Sequence, residues 1–195
     1  MTQTLHTVVA GAWPFVVTNV DDFVLLCSLF VTVGRGGPTN RQIVTGQYLG
    51  IAVLVTASLL VALGLSSVPE RWIGLLGLVP MALGVRGLLR LRRPQADGGH
   101  AASVTGVPGV IALTIADGGD NVSVYVPLFR QAGAGATLTY VAVFAVLTGV
   151  WCAVARVVAD RRPLIAAIER VGHWLVPALY IAIGLRIVIS SGLLG

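Results

Sequence analysis

The chain has 195 residues, of which 56% are hydrophobic and 11% charged, and its mean hydropathy is +0.89. A soluble domain of this length needs more polar surface to cover its core, so the composition excludes an ordinary water-soluble protein and predicts one solvated partly by lipid. The formal net charge of +5 does not indicate nucleic-acid binding, because the 13 basic residues, all arginine, lie in short segments between apolar runs.

Six apolar runs are long enough for membrane-spanning helices, each of which needs about 20 mostly apolar residues. In chain order they cover roughly residues 8–33, 42–65, 70–91, 104–128, 137–158 and 172–194. The first run lacks the basic stretch and the cleavage site of a signal peptide, so we interpret it as a permanent span. The sequence therefore predicts an all-α, multi-pass membrane protein with six transmembrane helices.

The distribution of arginine predicts how these helices are oriented. Three arginines, Arg71, Arg130 and Arg186, lie outside the first, third and fifth loops. Those loops carry or adjoin the other ten: Arg35, Arg41, Arg86, Arg90, Arg92, Arg93, Arg156, Arg161, Arg162 and Arg170. Arginine-rich loops stay in the cytoplasm, because moving the charge outward opposes an inside-negative potential. We therefore expect a plasma-membrane protein with both termini on the extracytoplasmic side.

Segments about one hundred residues apart resemble each other. T-N-V-D-D at 18–22 aligns with D-G-G-D-N at 117–121, and M-A-L-G-V-R-G-L-L at 81–89 aligns with I-A-I-G-L-R-I-V-I at 181–189. Residues 1–95 and 96–195 are therefore predicted to be two copies of a three-helix unit. An odd number of spans per copy inverts the second copy, and inverted repeats around a midplane site recur in transporters.

Four aspartates lie near the middle of predicted spans: Asp21 and Asp22 in the first, Asp117 and Asp120 in the fourth. An aspartate at the bilayer centre costs about 2.5–3.5 kcal/mol on insertion scales. Buried salt bridges are the structural alternative, but they need basic residues at the same depth, and every arginine lies near a span end. The acids are therefore interpreted as functional.

The spacing i, i+3, i+4 places three oxygen-bearing side chains on one helix face. It is shared by two sets of residues: Thr18, Asp21 and Asp22, and Asp117, Asp120 and Asn121. We expect these faces to meet and to present carboxylate, amide and hydroxyl oxygens to one cation. Four carboxylates exceed the charge of a divalent cation, so we expect at least one to be protonated in some state, which makes proton antiport a hypothesis.

Three features allow more than one interpretation. Gly118 and Gly119 either unwind the fourth span and free carbonyl ligands, or only permit close helix packing. Gln47 either lines a pathway or anchors its helix beside Tyr48. Cys27 is a soft sulfur ligand by type, although lone membrane cysteines usually only pack.

The chain has no G-x-x-x-x-G-K-[ST], H-E-x-x-H or G-x-S-x-G motif, so an enzyme is not expected.

Four blocks together carry a family resemblance: T-N-V-D-D at 18–22, G-Q-Y-L-G at 46–50, W-I-G-L-L-G-L-V-P-M-A-L-G at 72–84 and D-G-G-D-N-V-S-V-Y-V-P-L-F at 117–129. They resemble the cadmium resistance transporter (Cad) family within the lysine exporter superfamily. The resemblance implies a metal exporter that confers cadmium resistance. It implies a transport site made of Thr18, Asn19, Asp21, Asp22, Asp117, Asp120 and Asn121. The family often has a neutral residue where this chain has Asp117.

The predicted function is therefore export of a divalent heavy-metal cation by a secondary transporter, with cadmium first. Ligand type alone would favour manganese or magnesium, since oxygen ligands suit harder ions; cadmium follows from the resemblance. The alternatives are another divalent metal (manganese or zinc), an organic solute such as an amino acid, or a structural or sensor protein. The expected partners are the cation as substrate and the lipid bilayer, with no cofactor and no nucleic acid; a homo-oligomer is left open.

Overall fold

The structure is a computed structural model that describes residues 2–65, 69, 72, 74–90 and 104–190. All regular structure in these ranges is helical, as predicted. The α-helices, in chain order, are α1 (Thr2–Thr18), α2 (Val20–Thr32), α3 (Asn40–Gly64), α4 (Leu78–Arg90), α5 (Gly106–Asp117), α6 (Gly119–Gln131), α7 (Ala134–Val158) and α8 (Arg162–Ser190), and a 3-10 turn at Gly74–Gly77 precedes α4.

Helices α3 and α7, of 25 residues each, are long and apolar enough to cross a membrane. The bent pair α1–α2 is a third candidate if it forms one span. Leu75–Leu89, Gly106–Asp117 and Trp174–Ile189 are apolar but shorter. The described part of the chain is thus a helical membrane protein with two or three clear spans, and the number six stays a prediction. The arginine-rich segment 91–103 and residues 191–195 lie outside the described residues.

The turn between α2 and α3 follows from its glycines and from a helix cap. Gly34 and Gly36 have φ of 77° and 92°, in the left-handed region that side chains disfavour. Thr39 then caps α3: its hydroxyl accepts from the backbone N–H of Gln42, and the Gln42 side chain accepts from the Thr39 N–H. The predicted loop at 34–41 therefore ends where α3 begins.

The first predicted span, 8–33, is a helix broken in the middle. Its halves meet at Thr18 and Asn19 with a bend of 60°. The Asn19 Nδ2 donates to the Phe15 carbonyl at 2.8 Å, and the Thr18 hydroxyl donates to the Pro14 carbonyl at 3.0 Å. Side chains that bond to main-chain carbonyls in this way offer the backbone an alternative to the helical ladder and bend helices.

The fourth predicted span, 104–128, is broken as well, between α5 and α6 at Gly118. A Cβ atom on Gly118 would overlap the side chain of Leu54 on α3, whereas Gly119 has open space around it. The helix is therefore interrupted at this glycine pair, and Gly118 allows α3 to approach closely, while the predicted release of carbonyl ligands stays a prediction.

The two halves of the chain interlock. The long helix α3 of the first half packs against α5 and α6, and the long helix α7 of the second half packs against α1 and α2. Helices α4 and α8 pack against each other. Each broken helix is therefore supported mainly by the long helix of the other half.

The contact between α4 and α8 is close at the level of single residues. Gly77 lies against Gly184, and Gly84 lies against Pro177. The first number of these pairs rises by seven while the second falls by seven, so the segment that holds Gly77 and Gly84 runs antiparallel to α8. These glycines allow close approach, since a Cβ on either Gly77 or Gly84 would meet a main-chain oxygen of α8.

Helix α8 begins at Arg162, ten residues before the predicted start of the last span. Pro163 lies in its first turn, where a missing N–H costs nothing, and no break separates the charged segment from the apolar one. Pro177 is accommodated inside the helix.

Candidate cation site

Three of the four aspartates predicted to bind a cation begin a half-helix after a break. Asp21 and Asp22 lie in the first turn of α2, and Asp120 lies in the first turn of α6. The fourth, Asp117, is the last residue of α5. Helix N-termini stabilise negative charge, while the carbonyl ends of α1 and α5, which end at the breaks, favour cations. The breaks therefore combine acidic side chains with carbonyl-rich helix ends.

Asp22 is buried and is held by a relay of side chains from two other helices. The Gln47 Nε2 on α3 donates to an Asp22 carboxylate oxygen at 2.5 Å. The Gln47 Oε1 accepts from the Thr114 hydroxyl on α5 at 2.8 Å. Because an ionised Asp22 carboxylate can only accept, the amide NH₂ faces Asp22 and the amide oxygen accepts from Thr114. Gln47 therefore joins three helices at the candidate site, and its part in the ion path stays a prediction.

A second group of polar side chains lies at the break between α1 and α2. The Asn19 Nδ2 donates to the Tyr125 hydroxyl at 2.9 Å, and the Thr18 hydroxyl lies 3.3 Å from the same oxygen. The indole N–H of Trp151 donates to the Asn19 carbonyl at 2.7 Å. Side chains of α6 and α7 thus both form hydrogen bonds with the first break. Thr18 and Asn19 are almost completely buried.

Asn121 joins the two breaks and has one oxygen left over. Its Nδ2 donates to the Asn19 Oδ1 at 3.4 Å. Asn19 must direct its own NH₂ at the Phe15 carbonyl, so its oxygen faces Asn121, and Asn121 in turn must direct its NH₂ at Asn19. The Asn121 Oδ1 therefore points away from the amide pair, and it is a buried oxygen without a hydrogen-bond partner among the described residues. Buried unpaired acceptors are uncommon and call for an explanation.

Asp120 is held within the second half of the chain. The Tyr180 hydroxyl on α8 donates a short hydrogen bond to one carboxylate oxygen. The backbone N–H of Asn121 donates to the other at 2.9 Å. Asp120 therefore has a fixed orientation at the start of α6.

The four aspartates are near each other but do not form a closed metal cage in this conformation. Each acts electrostatically on the other three. However, no group of three or more His, Cys, Asp and Glu side chains lies close enough to hold a metal ion within the described ranges. Asp22 is buried, Asp117 and Asp120 are half-buried, and Asp21 is exposed. The structure brings Thr18, Asn19, Asp22 and Asn121 into the interior, and it places Asp21 outward.

Sequence reasoning missed four residues of this site: Thr114, Tyr125, Trp151 and Tyr180. Thr114 and Tyr125 could have been found from the sequence, because Thr114 lies three residues before the predicted ligand Asp117 and Tyr125 four residues after the predicted ligand Asn121, each one helical turn away. Trp151 and Tyr180 could not, since helix packing alone brings them to residues far away in the chain. Cys27 is buried among apolar side chains, as the packing interpretation expects.

Two broken helices with acids and amides at the breaks, held in an apolar helical bundle, define a membrane transport protein rather than a simple anchor. The sequence profile described as Cad, cadmium resistance transporter, matches residues 15–195. The chain therefore belongs to the cadmium resistance transporter family, which is a family of transporters. No curated protein and no solved structure matches the chain.

Proposed function

We propose that this protein exports a divalent heavy-metal cation, cadmium first, from the cytoplasm across the plasma membrane, and that the cation binds between the two broken helices. The buried carboxylate of Asp22 is the observation that carries the proposal. Its hydrogen-bond donor is the neutral amide of Gln47, and within the described part of the chain the charged groups that act on it are the other three aspartates. A buried negative charge in such surroundings is costly, and a cation removes that cost.

The donor set is consistent with a dehydrated metal ion. The carboxylates of Asp22 and Asp120 and the Asn121 Oδ1, which has no partner among the described residues, are oxygen donors at the two breaks. The oxygen set by itself suits hard ions such as manganese, and zinc also binds carboxylates, so both stay candidates. Cadmium comes first because the chain belongs to the cadmium resistance family.

Alternating access between two inverted repeats is the proposed mechanism. The reciprocal packing of α3 and α7 on the opposite broken helix supports two related halves, residues 1–95 and 96–195. The close antiparallel contacts of Gly77 with Gly184 and of Gly84 with Pro177 join the last helices of the two halves. Rocking of one half against the other would then open the site to one side of the membrane at a time.

Proton antiport is the proposed coupling. Four mutually repelling carboxylates lie near the proposed position of a cation of charge two, so they retain fewer protons when the metal is bound than when it is absent. Exchange of protons for metal at the same oxygens allows a proton gradient to drive export.

An amino-acid exporter is the second candidate. The N-termini of α2 and α6 lie at the site and offer positive dipole ends to a substrate carboxylate, while the aspartates would bind its ammonium group. However, Asp120 already accepts the backbone N–H of Asn121 there, which leaves less of that helix end for a substrate carboxylate.

Metal uptake into inside-out membrane vesicles tests the proposal. We expect wild-type vesicles to take up cadmium faster when their interior is acidic, and Asp22→Asn to lower uptake roughly tenfold or more, the equivalent of 1.4 kcal/mol of lost cation binding. Asp160→Asn is the matched control, because it removes the same charge at an exposed position between α7 and α8.

Three results would contradict parts of this proposal. Equal uptake by Asp22→Asn and Asp160→Asn would exclude Asp22 as a ligand. Uptake that ignores the pH gradient would exclude proton antiport. Transport of amino acids but not of metals in the same vesicles would favour the second candidate.

A further inference from the structure

A cavity of about 380 Å³ lies beside the site, between α1, α6, α7 and α8. Three of its wall residues lie one helical turn from a site residue, on the same helix face, in the pairs Pro14–Thr18, Val124–Asp120 and Ile183–Tyr180. Three separate helices therefore lead from the wall of the cavity directly to the site.

The cavity continues away from the site along the same helices. Ala10 lies one turn further along α1, Leu128 one turn further along α6 and Ile187 one turn further along α8. In each helix this direction leads to the same side of the molecule: the start of α1, the end of α6 and the end of α8. The arginine distribution predicts that this side faces away from the cytoplasm.

Hydrogen bonds close the inner end of the cavity. The Tyr125 hydroxyl is bonded to Asn19 and lies 3.3 Å from the Thr18 hydroxyl, which connects α6 to α1. The Tyr180 hydroxyl is bonded to Asp120, which connects α8 to α6. These hydrogen-bonded side chains lie one helical turn from the cavity wall, on the side of the site.

The cavity wall carries a charge that requires water. Arg186 lines the cavity, is exposed, and forms no ion pair with another described residue. An arginine in a membrane protein is costly unless water or a counter-charge reaches it. The volume is enough for roughly ten water molecules at about 30 Å³ each. A hydrocarbon chain would leave the guanidinium unsolvated, so water is the occupant that fits the wall.

We propose that this cavity is an aqueous vestibule through which the cation leaves the site on the side that carries both termini. The inference rests on the proposed export function and adds the route of release to it. A cation that keeps its hydration shell needs no protein ligands while it crosses the cavity. The positive charge of Arg186 lowers the occupancy of the cavity by cations, so the cavity serves as a passage and not as a second binding site.

Cysteine labelling in intact cells tests the vestibule. Ala182 lines the cavity and is exposed, and Ala82, the corresponding exposed residue of α4, does not line it. We expect the membrane-impermeant reagent 2-sulfonatoethyl methanethiosulfonate, added outside, to label Ala182→Cys and to abolish its cadmium export. Ala82→Cys should be neither labelled nor inhibited. The native Cys27 and Cys152 are 0% and 3% exposed, so the wild-type chain serves as the unlabelled background.

Each other outcome has a definite meaning. Labelling of Ala182→Cys only in inside-out vesicles would place the cavity on the cytoplasmic side and overturn the proposal. Labelling only by a lipid-soluble maleimide would show a lipid-filled groove and also overturn it. Full labelling without loss of cadmium export would exclude the cavity as the route. If the unlabelled wild type exports no metal, the proposed function fails, whereas external labelling would still show an aqueous cavity.

Discussion

Neutral side chains, rather than arginines, organise the acidic residues of this site. Gln47 donates to Asp22, Tyr180 donates to Asp120, and the Asn19–Asn121 pair lies between the two breaks. Neutral donors orient a carboxylate without cancelling its charge, which leaves that charge for a cation. A guanidinium at the same place would satisfy the carboxylate and compete with the cargo.

The relay from Thr114 through Gln47 to Asp22 provides a test at the residue scale. We expect Gln47→Leu to weaken cadmium binding strongly, because Asp22 loses the donor that fixes its orientation. Thr114→Val should have a smaller effect on cadmium binding, because Gln47 stays in place and still donates to Asp22. The Gln47 amide oxygen loses its hydrogen-bond donor, which lowers the stability of the folded protein by about 1–3 kcal/mol. The measurement is the cadmium concentration for half-maximal uptake in vesicles.

Thr56→Val is the matched control for Thr114→Val. Thr56 is exposed on α3. Within the described part of the chain, its hydroxyl donates only to the Ala52 carbonyl of the same helix. If Gln47→Leu and Thr56→Val bind cadmium equally well, the relay has no role in positioning Asp22.

At the scale of the element, each broken helix depends on the long helix of the other half. α3 packs against the second break and α7 against the first. The aromatic cluster of Phe15, Tyr125 and Phe144 lies between α1, α6 and α7, with Tyr125 and Phe144 centroids 4.6 Å apart. The cluster packs around the Tyr125 ring, whose hydroxyl bonds to Asn19, and thereby links packing to the site.

The two adjacent glycines of the second break differ sharply in their surroundings, which allows a matched comparison. We expect Gly118→Ala to destabilise the folded protein by about 1–3 kcal/mol, because the added methyl group overlaps Leu54 on α3. Gly119→Ala should change stability little, since nothing lies within 4 Å of a Cβ there. Thermal unfolding of the purified protein in detergent measures both.

Leu54→Ala provides a further check on this explanation. It removes the atoms that the new methyl group would overlap, so Leu54→Ala should reduce the effect of Gly118→Ala in the double variant. Equal effects of the two glycine substitutions on stability would mean that the contact with Leu54 does not set the cost of Gly118→Ala.

At the scale of the whole molecule, the proposed function depends on how the halves are oriented in the membrane. The interlocked packing keeps both broken helices in one bundle. Arginine distribution predicts that the connections after the first, third and fifth spans lie in the cytoplasm. A transporter made of two inverted three-helix units then has both termini on the extracytoplasmic side.

Terminal tags test this orientation. We expect short epitope tags at either end of the full chain to be accessible to antibody on intact cells, because ten of the 13 arginines flank the loops predicted to be cytoplasmic. A cytoplasmic marker protein that stays inaccessible serves as the control for intact membranes. Tags found on opposite sides would mean an odd number of spans and would exclude the six-span arrangement.

Much of this protein follows from local sequence. The membrane environment and helical structure follow from composition, and the ends of α3 and α7 lie within three residues of the predicted limits. The acids at 21, 22, 117 and 120 indicated a functional position within two spans, since an aspartate within an apolar run is costly wherever the run folds. The glycine pair indicated a break in the fourth span, whereas the break in the first span was not predicted. Family membership followed from the same motifs and is confirmed.

Only the tertiary structure decided which residues meet. Nothing in the sequence indicated that Tyr180 would bond to Asp120, that Trp151 would bond to the Asn19 carbonyl, or that Gln47 would join Asp22 to Thr114. The reason is physical: a periodic pattern fixes the face on which a side chain lies. The partner of that face depends on how separate helices pack, and in this chain that packing pairs each broken helix with the other half.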